Sequence, residues 1–494
     1  MNQNPQNMTP KLNQNLQNPG SQVELSELTG VRGAFLDCID DPFSNCSNDS
    51  LDNHSTENLE NLENSSIRYI ADGLLVLNQG HIHDFGAYSD LADRYPNLAI
   101  THYPDRLITP GLVDVHLHYP QTQMMAAYGE QLLDWLNQYT FPTEQTFQDP
   151  DHAAQVANFF IEELLRNGTT TAAVFAAVFP GSVDALFTAA QARNLRLVTG
   201  KVMMDRHAPP ELLDTAQSAY EDSQRLIETW HGIDRLSYAV TPRFAPTSTP
   251  QQLQFAGQLL SEFPTVYLHT HLSENVDELA WVKELFPNSE SYLDVYDRYG
   301  LVNERSIFAH CIHLSDAEFD RLDDINATIA FCPTSNLFLG SGLFNIQKAK
   351  SEGRSINVGL ASDVGAGTSF SMLKTAAEAY KVAQLQRQTL SPFQLFFLMT
   401  LGGARSLHLA DQIGNFAIGK EADFVVWHLQ ATPLMDFRNA GSFPTTLQEL
   451  SDRLFSLLVL GDDRSVSATY IMGNNSLDSF TASWAIKQPL NQWK

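Results

Sequence analysis

Cysteine is scarce in this chain: Cys38, Cys46, Cys311 and Cys332 are the only four among 494 residues, and no two stand in C-x-x-C spacing. A disulfide framework and a cysteine-built zinc site are thereby excluded, and thiols this scattered are expected to be reduced ones of the cytosol. Basic residues are also few. Thirty Lys and Arg stand against 57 Asp and Glu, a formal charge of -27, which leaves little cationic surface for a phosphate backbone and speaks against nucleic-acid binding. No apolar run reaches the roughly 18 residues of a membrane span. Met1 to Gly20 lacks the basic stretch followed by an apolar one that marks a secretory leader. These absences predict a cytoplasmic protein with neither nucleic acid nor membrane among its partners.

What is present supports a large buried core, since 43% of the residues are apolar. Residues 1–27 are rich in Asn and Gln and are expected to be disordered. Residues 28–108 read as the first part of a small β-domain, with an acidic, Asn-rich insertion at 43–66 and a strand over Val31–Ile39. From Leu107 onward, strand-like apolar runs alternate with helical ones, which predicts βα units around a parallel sheet. The expected strands are Leu112–His118, Thr169–Phe175, Arg196–Met204, Leu236–Phe244, Val266–Leu272, Ser306–Leu314, Thr328–Asn336 and Asn357–Asp363. Eight of them predict a closed (β/α)8 barrel over 109–411, with helical stretches at His152–Arg166, Ala208–His231, Asn275–Lys283 and Leu373–Leu409. Residues 412–494 return to β-like text and are expected to complete the small β-domain, a β-sandwich built from both ends of the chain. Gly414 to Lys420 nearly matches a phosphate-binding loop, but Glu421 follows where Ser or Thr is needed and the flanking elements do not fit, so nucleotide binding is rejected there.

Barrel enzymes carry their reactive residues at the carboxyl ends of the strands. His116 and His118 stand two apart at the end of the first strand, so both project to one face. His271 ends the fifth strand, His310 falls in the sixth and Asp363 ends the eighth. One such residue at a strand end is usually structural; five on one rim describe a site for a divalent ion such as zinc, held by imidazoles and a carboxylate with a position left for water. Glu274, three residues beyond His271, reaches the same rim and is the candidate proton shuttle. Taken singly, a glutamate after a strand is as readily a partner for a helix N-terminus.

The blocks His116-Leu117-His118-Tyr119-Pro120-Gln121, Tyr139-Thr140-Phe141-Pro142-Thr143-Glu144, Pro242-Arg243-Phe244, His271-Leu272-Ser273-Glu274-Asn275, Ala309-His310-Cys311 and Ser362-Asp363-Val364 resemble the guanine deaminase family of the amidohydrolase superfamily. The resemblance runs from about Val31 to Asn474, interrupted by the acidic insertion. It implies one Zn2+ per subunit held by His116, His118, His271 and Asp363, with His310 beside the ion's water and Glu274 and Asp363 moving protons as catalytic groups. It also implies that guanine is read by Gln121, Arg243 and Phe244 together with His271, Glu274 and Asp363, that water is the co-substrate, and that the chain forms a homodimer. An aromatic face suits a flat purine, a guanidinium donates to its acceptors, and an amide can do both. The implied reaction is hydrolysis of guanine to xanthine and ammonia. Another aminopurine, a pterin or a triazine is the competing substrate, and a non-catalytic barrel the competing class. The H-x-E and P-C-x-x-C signature of the other zinc deaminases is absent. Lys201 belongs to the third strand rather than the fourth, which speaks against a bridging carboxylated lysine and a second metal. His269, His313, Cys311 and Cys332 are read as structural neighbours of the rim.

Overall fold

The computed structural model describes residues 27–44, 65–129, 131–350 and 353–477. The expected disorder of 1–27, apart from Glu27, and the acidic insertion from 45 to 64 lie outside them. So does the end of the chain beyond 477.

The first strands are β1 (Leu28–Cys38), β2 (Ile67–Asn78), β3 (His81–Ala87) and β4 (Ala99–Pro110). β1 begins three residues earlier than the apolar run suggests, because Leu28 to Gly30 pair with Asn78 to Val76 of β2. The barrel strands follow: β5 (Leu112–His118), β6 (Thr169–Phe175), β7 (Arg196–Gly200), the short β8 (Val202–Met203), β9 (Leu236–Pro242), β10 (Tyr267–Leu272), β11 (Ser306–His310), β12 (Thr328–Phe331) and β13 (Asn357–Leu360). β14 (Phe424–Trp427), β15 (Val466–Ile471) and β16 (Asn474–Asn475) close the chain. Both ends of the chain meet in one seven-stranded sheet of order β16-β15-β14-β4-β1-β2-β3. β4 lies parallel to β1 and antiparallel to β14, so the strand leading into the barrel is clamped between the two halves of the small domain. Phe35, Phe85 and Phe416 pack edge to face or tilted in its core.

The eight main parallel strands run in chain order from β5 round to β13. The ring is drawn together at its ends where His118 N donates to Val364 O at 2.7 Å and Asp363 N donates to His116 O at 3.0 Å. Val113, Val115, Ala173, Val198, Ala239, Ile307 and Ala330 fill the interior, small and β-branched side chains that fit the narrowing centre of such a barrel.

The first two barrel strands have the expected limits and the fifth the expected end, but the others stop short. The third is broken at Lys201. The sixth ends at His310, because His310 and Cys311 take positive φ (73° and 52°). The seventh ends at Phe331, because Pro333, which lacks an N–H, opens a helix over Pro333–Phe338. The eighth ends at Leu360 ahead of Asp363, whose φ is 50°. The fourth ends at Pro242, and the fifth begins at Tyr267.

Helices differ in the same way. His152–Arg166 extends back to Pro150, capped by Asp149. Ala208–His231 shortens to Ala216–Trp230, where Thr215 caps and Pro209 and Pro210 stand outside. Asn275–Lys283 becomes Val276–Leu285, with Asn275 itself as the cap. Leu373–Leu409 resolves into Met372–Leu385, Pro392–Leu398 and Leu401–Ser406. Among the described residues, no helix is long and apolar enough to cross a membrane.

Candidate active site

The carboxyl ends of β5, β10, β11 and β13 bring the expected residues together. Ring nitrogens of His116, His118 and His271 lie within 4.8 Å of one another, and so do the ligand atoms of His116, His310, Cys332 and Asp363. Asp363 Oδ1 stands 3.2 Å from His116 Nε2 and 3.4 Å from His118 Nε2, and its Oδ2 is 3.7 Å from His310 Nε2. His310 Nε2 is also 3.4 Å from Glu274 Oε2.

Burial sets the electrostatics. It pushes His116 down to about 4 and lowers His118, His269 and His271 from their ordinary values, which leaves these imidazoles neutral and their free nitrogens able to ligate. Burial opposes ionisation of Asp363, yet His116, His118 and His310 hold its carboxyl well below the usual range. His310 moves the other way: burial lowers it, but the carboxylates of Glu274 and Asp363 outweigh that and raise it. Burial pushes Glu274 up to about 7, near where a carboxyl can both give and take a proton at neutral pH.

The donor set fits a divalent metal. His116 Nε2 is buried with no hydrogen-bond partner, while its Nδ1 lies 2.7 Å from His269 Nε2. His271 Nδ1 donates to Arg243 O at 2.7 Å, which leaves its other nitrogen unprotonated. Imidazoles fixed through one nitrogen and free at the other are arranged as metal ligands are. Three imidazoles and a carboxylate suit zinc. Cys332 is close, but its thiol donates to Ala330 O at 3.4 Å, and burial pushes its pKa up, so it stays protonated.

The predicted reading groups lie on the same rim. Gln121 and Arg243 are buried and converge on Glu144. Arg243 Nη1 donates to both carboxylate oxygens at 3.0 and 2.9 Å, and Gln121 Nε2 donates to Oε1 at 3.2 Å. Phe244 is buried beside Trp281 at a ring separation of 6.3 Å.

Several residues around the site carry no functional reading from the sequence. Glu144 lies in the block Tyr139-Thr140-Phe141-Pro142-Thr143-Glu144, which marks no role for it. His269 sits directly behind His116, a position its two-residue spacing from His271 signals. Asn336 accepts from His310 Nδ1 at 2.8 Å, and Ser341 donates to Glu274 Oε1 at 3.2 Å. Asp114 accepts the N–H groups of His116 and Ser362, and burial pushes it up to about 7.

A parallel barrel with imidazoles and a carboxylate gathered at its carboxyl rim is the architecture of a hydrolase whose donor set could hold a divalent metal. The amidohydrolase family model matches residues 107–475, and the chain belongs to that family. It is similar to the guanine deaminase of Escherichia coli (strain K12), 51% identical over 90% of this chain and 97% of that protein. The solved structure of the E. coli guanine deaminase superposes with a TM-score of 0.83 over 90% of this chain and 99% of that one. A guanine deaminase from Bradyrhizobium japonicum, 37% identical, superposes at 0.85 over 91% of this chain and 98% of its own. One from C. acetobutylicum, whose structure has guanine bound in the active site, is 29% identical and superposes at 0.78 over 91% of this chain and 99% of its own.

Proposed function

We propose that this chain is a zinc-dependent guanine aminohydrolase, converting guanine and water to xanthine and ammonia as a cytoplasmic homodimer. The observation that carries the reading is the convergence of His116, His118, His271 and Asp363 next to Glu274, with Gln121, Arg243 and Phe244 on the same rim. The 51% identity to a guanine deaminase supports the choice of substrate, and the buried, unpaired thiols of Cys38, Cys311 and Cys332 are those of a reducing compartment.

His116, His118, His271 and Asp363 would hold one zinc ion, which when bound would supply Lewis-acid activation of water for attack on the ring carbon that bears the amine. The chain's own groups do the rest. Phe244 offers an apolar face for the purine, while the Arg243 guanidinium and the Gln121 amide read its edges. Asp363 takes the proton from the attacking water. Glu274, steadied by Ser341, gives its proton to the neighbouring ring nitrogen and is reprotonated by the new hydroxyl on the ring carbon as that becomes the carbonyl, while Asp363 passes the proton it took from water to the departing amine. The burial of Glu274 limits competing water. His310, fixed through Asn336, orients the attacking oxygen.

The test is metal analysis paired with an absorbance assay of guanine loss and xanthine gain, before and after chelation. About one zinc per chain, activity lost on chelation and regained on adding zinc are expected. A metal-free protein that turns over guanine at the same rate would overturn the proposal. Light scattering at twice the chain mass checks the homodimer.

A further inference from the structure

We infer that Glu144 sets the donor and acceptor sense of the substrate pocket by fixing the Gln121 amide and the Arg243 guanidinium, which makes it a specificity-determining positioning residue. The inference rests on guanine being the substrate. Glu144 lies on the helix Phe141–Gln145, is 1% exposed, and meets Gln121 and Arg243 from elements 23 and 99 residues away in sequence.

A carboxylate paired with a guanidinium can only accept hydrogen bonds. The Gln121 amide must therefore turn its nitrogen toward Glu144. Its oxygen then falls 3.2 Å from Gly365 N, which can only donate. The amide is held in one sense from both sides, with an acceptor at one end and a donor at the other. What Gln121 offers a ligand is thereby decided: one remaining lone pair on Oε1 and one remaining N–H. Glu144 also occupies Nη1 of Arg243, and among the described residues Nε and Nη2 of that guanidinium have no protein acceptor. They are left to donate to a ligand. Gly365 permits the close approach, because a Cβ there would stand 2.7 Å from Gln121 O. A pocket fixed this way matches guanine, whose ring carries N–H donors beside a carbonyl acceptor. It mismatches 2,6-diaminopurine, which keeps the amine to be hydrolysed but puts a donor where guanine has the carbonyl and an acceptor where guanine has the ring N–H.

Without Glu144 the amide is free to turn over and the guanidinium to swing, and the pocket loses its sense. In Glu144→Gln, kcat/KM for guanine is expected to fall roughly tenfold to a hundredfold, mostly through KM, and the preference for guanine over 2,6-diaminopurine to narrow at least tenfold. Gln121→Leu, which leaves the Glu144–Arg243 pair in place, should narrow the preference to a similar degree, and adding Glu144→Gln to it should narrow it by less than threefold more. Zinc content and thermal melting of each variant separate these effects from misfolding. A preference unmoved in Glu144→Gln or in Gln121→Leu, with both substrates weakened equally, overturns the inference and leaves Glu144 a structural partner of Arg243. A wild-type protein inactive on guanine sinks the functional reading as well, so the two failures are distinguishable.

Discussion

In the proposed reaction turnover depends most sharply on Glu274, which stands 3.4 Å from His310 and has a carboxyl that burial lifts to about 7. Glu274→Gln keeps the shape and the Ser341 contact but carries no proton to transfer, so kcat is expected to fall by about 10²- to 10⁴-fold. Zinc content should stay at the wild-type level, which elemental analysis checks; a variant with full metal and near-normal xanthine production would remove Glu274 from the mechanism. His269 acts one layer further out. Its Nε2, 2.7 Å from His116 Nδ1, holds that ring in place, and His269→Phe is expected to weaken zinc binding by about 10- to 100-fold. Competition with a chromophoric chelator measures this, and an unchanged affinity would show that His116 needs no such support. That His116, His118, His271 and Asp363 would meet at one rim was legible because each ends an apolar run with a metal-type side chain. Glu144 and Asn336 were not, since each acquires its meaning only from a partner distant in sequence, Arg243 in one case and His310 in the other.

At the level of elements, the beginnings of seven of the eight barrel strands were readable, but the ends of five were not. The apolar runs that start β11 and β13 continue past the point where the ladder stops, because the last residues turn out of extended geometry to aim side chains at the rim, while that of β12 is cut off by the helix that Pro333 opens. Ser273, His310 and Asp363 all have positive φ, between 50° and 73°. A non-glycine residue held there is strained, and only the finished barrel over-determines it. The small domain was legible as β-structure from both ends of the chain, but the pairing that unites them, β4 with β14, links residues more than 300 apart, and sequence periodicity carries no such information. Close strand packing yields a prediction of its own. Gly200 ends β7 so near β9 that a Cβ would stand 1.8 Å from Ala239 O. Gly200→Ala is therefore expected to destabilise the barrel by about 1–3 kcal/mol, read as a lower urea midpoint. An unchanged midpoint would mean that β7 and β9 separate without cost.

The whole molecule is joined at the opposite face of the barrel from the active site. Arg235, just before β9, donates to Glu421 Oε2 at 2.8 Å, to Asp423 and to Asn194 O at 2.8 Å. Arg196, the first residue of β7, pairs with Glu421 as well. Glu421 and Asp423 directly precede or border β14 of the small sheet, so two barrel strands are tied to the sheet through nearly buried charges. Such a network adds little over a well-packed apolar contact, but removing one partner strands the others without water. Arg235→Ala leaves Asp423, which burial already pushes upward in pKa, without its cation. The expected loss is about 3–5 kcal/mol in chemical denaturation. Because strands of this length separate the network from the carboxyl rim by roughly 20 Å, kcat/KM of the folded protein at low temperature should stay within about twofold of wild type. Replacing the charges together, as Arg235→Leu with Asp423→Leu, should recover part of the lost stability. A full-strength Arg235→Ala protein would mean that apolar packing alone holds the sheet to the barrel. A stable variant with damaged turnover would mean that the contact between the two reaches through the strands to the carboxyl rim.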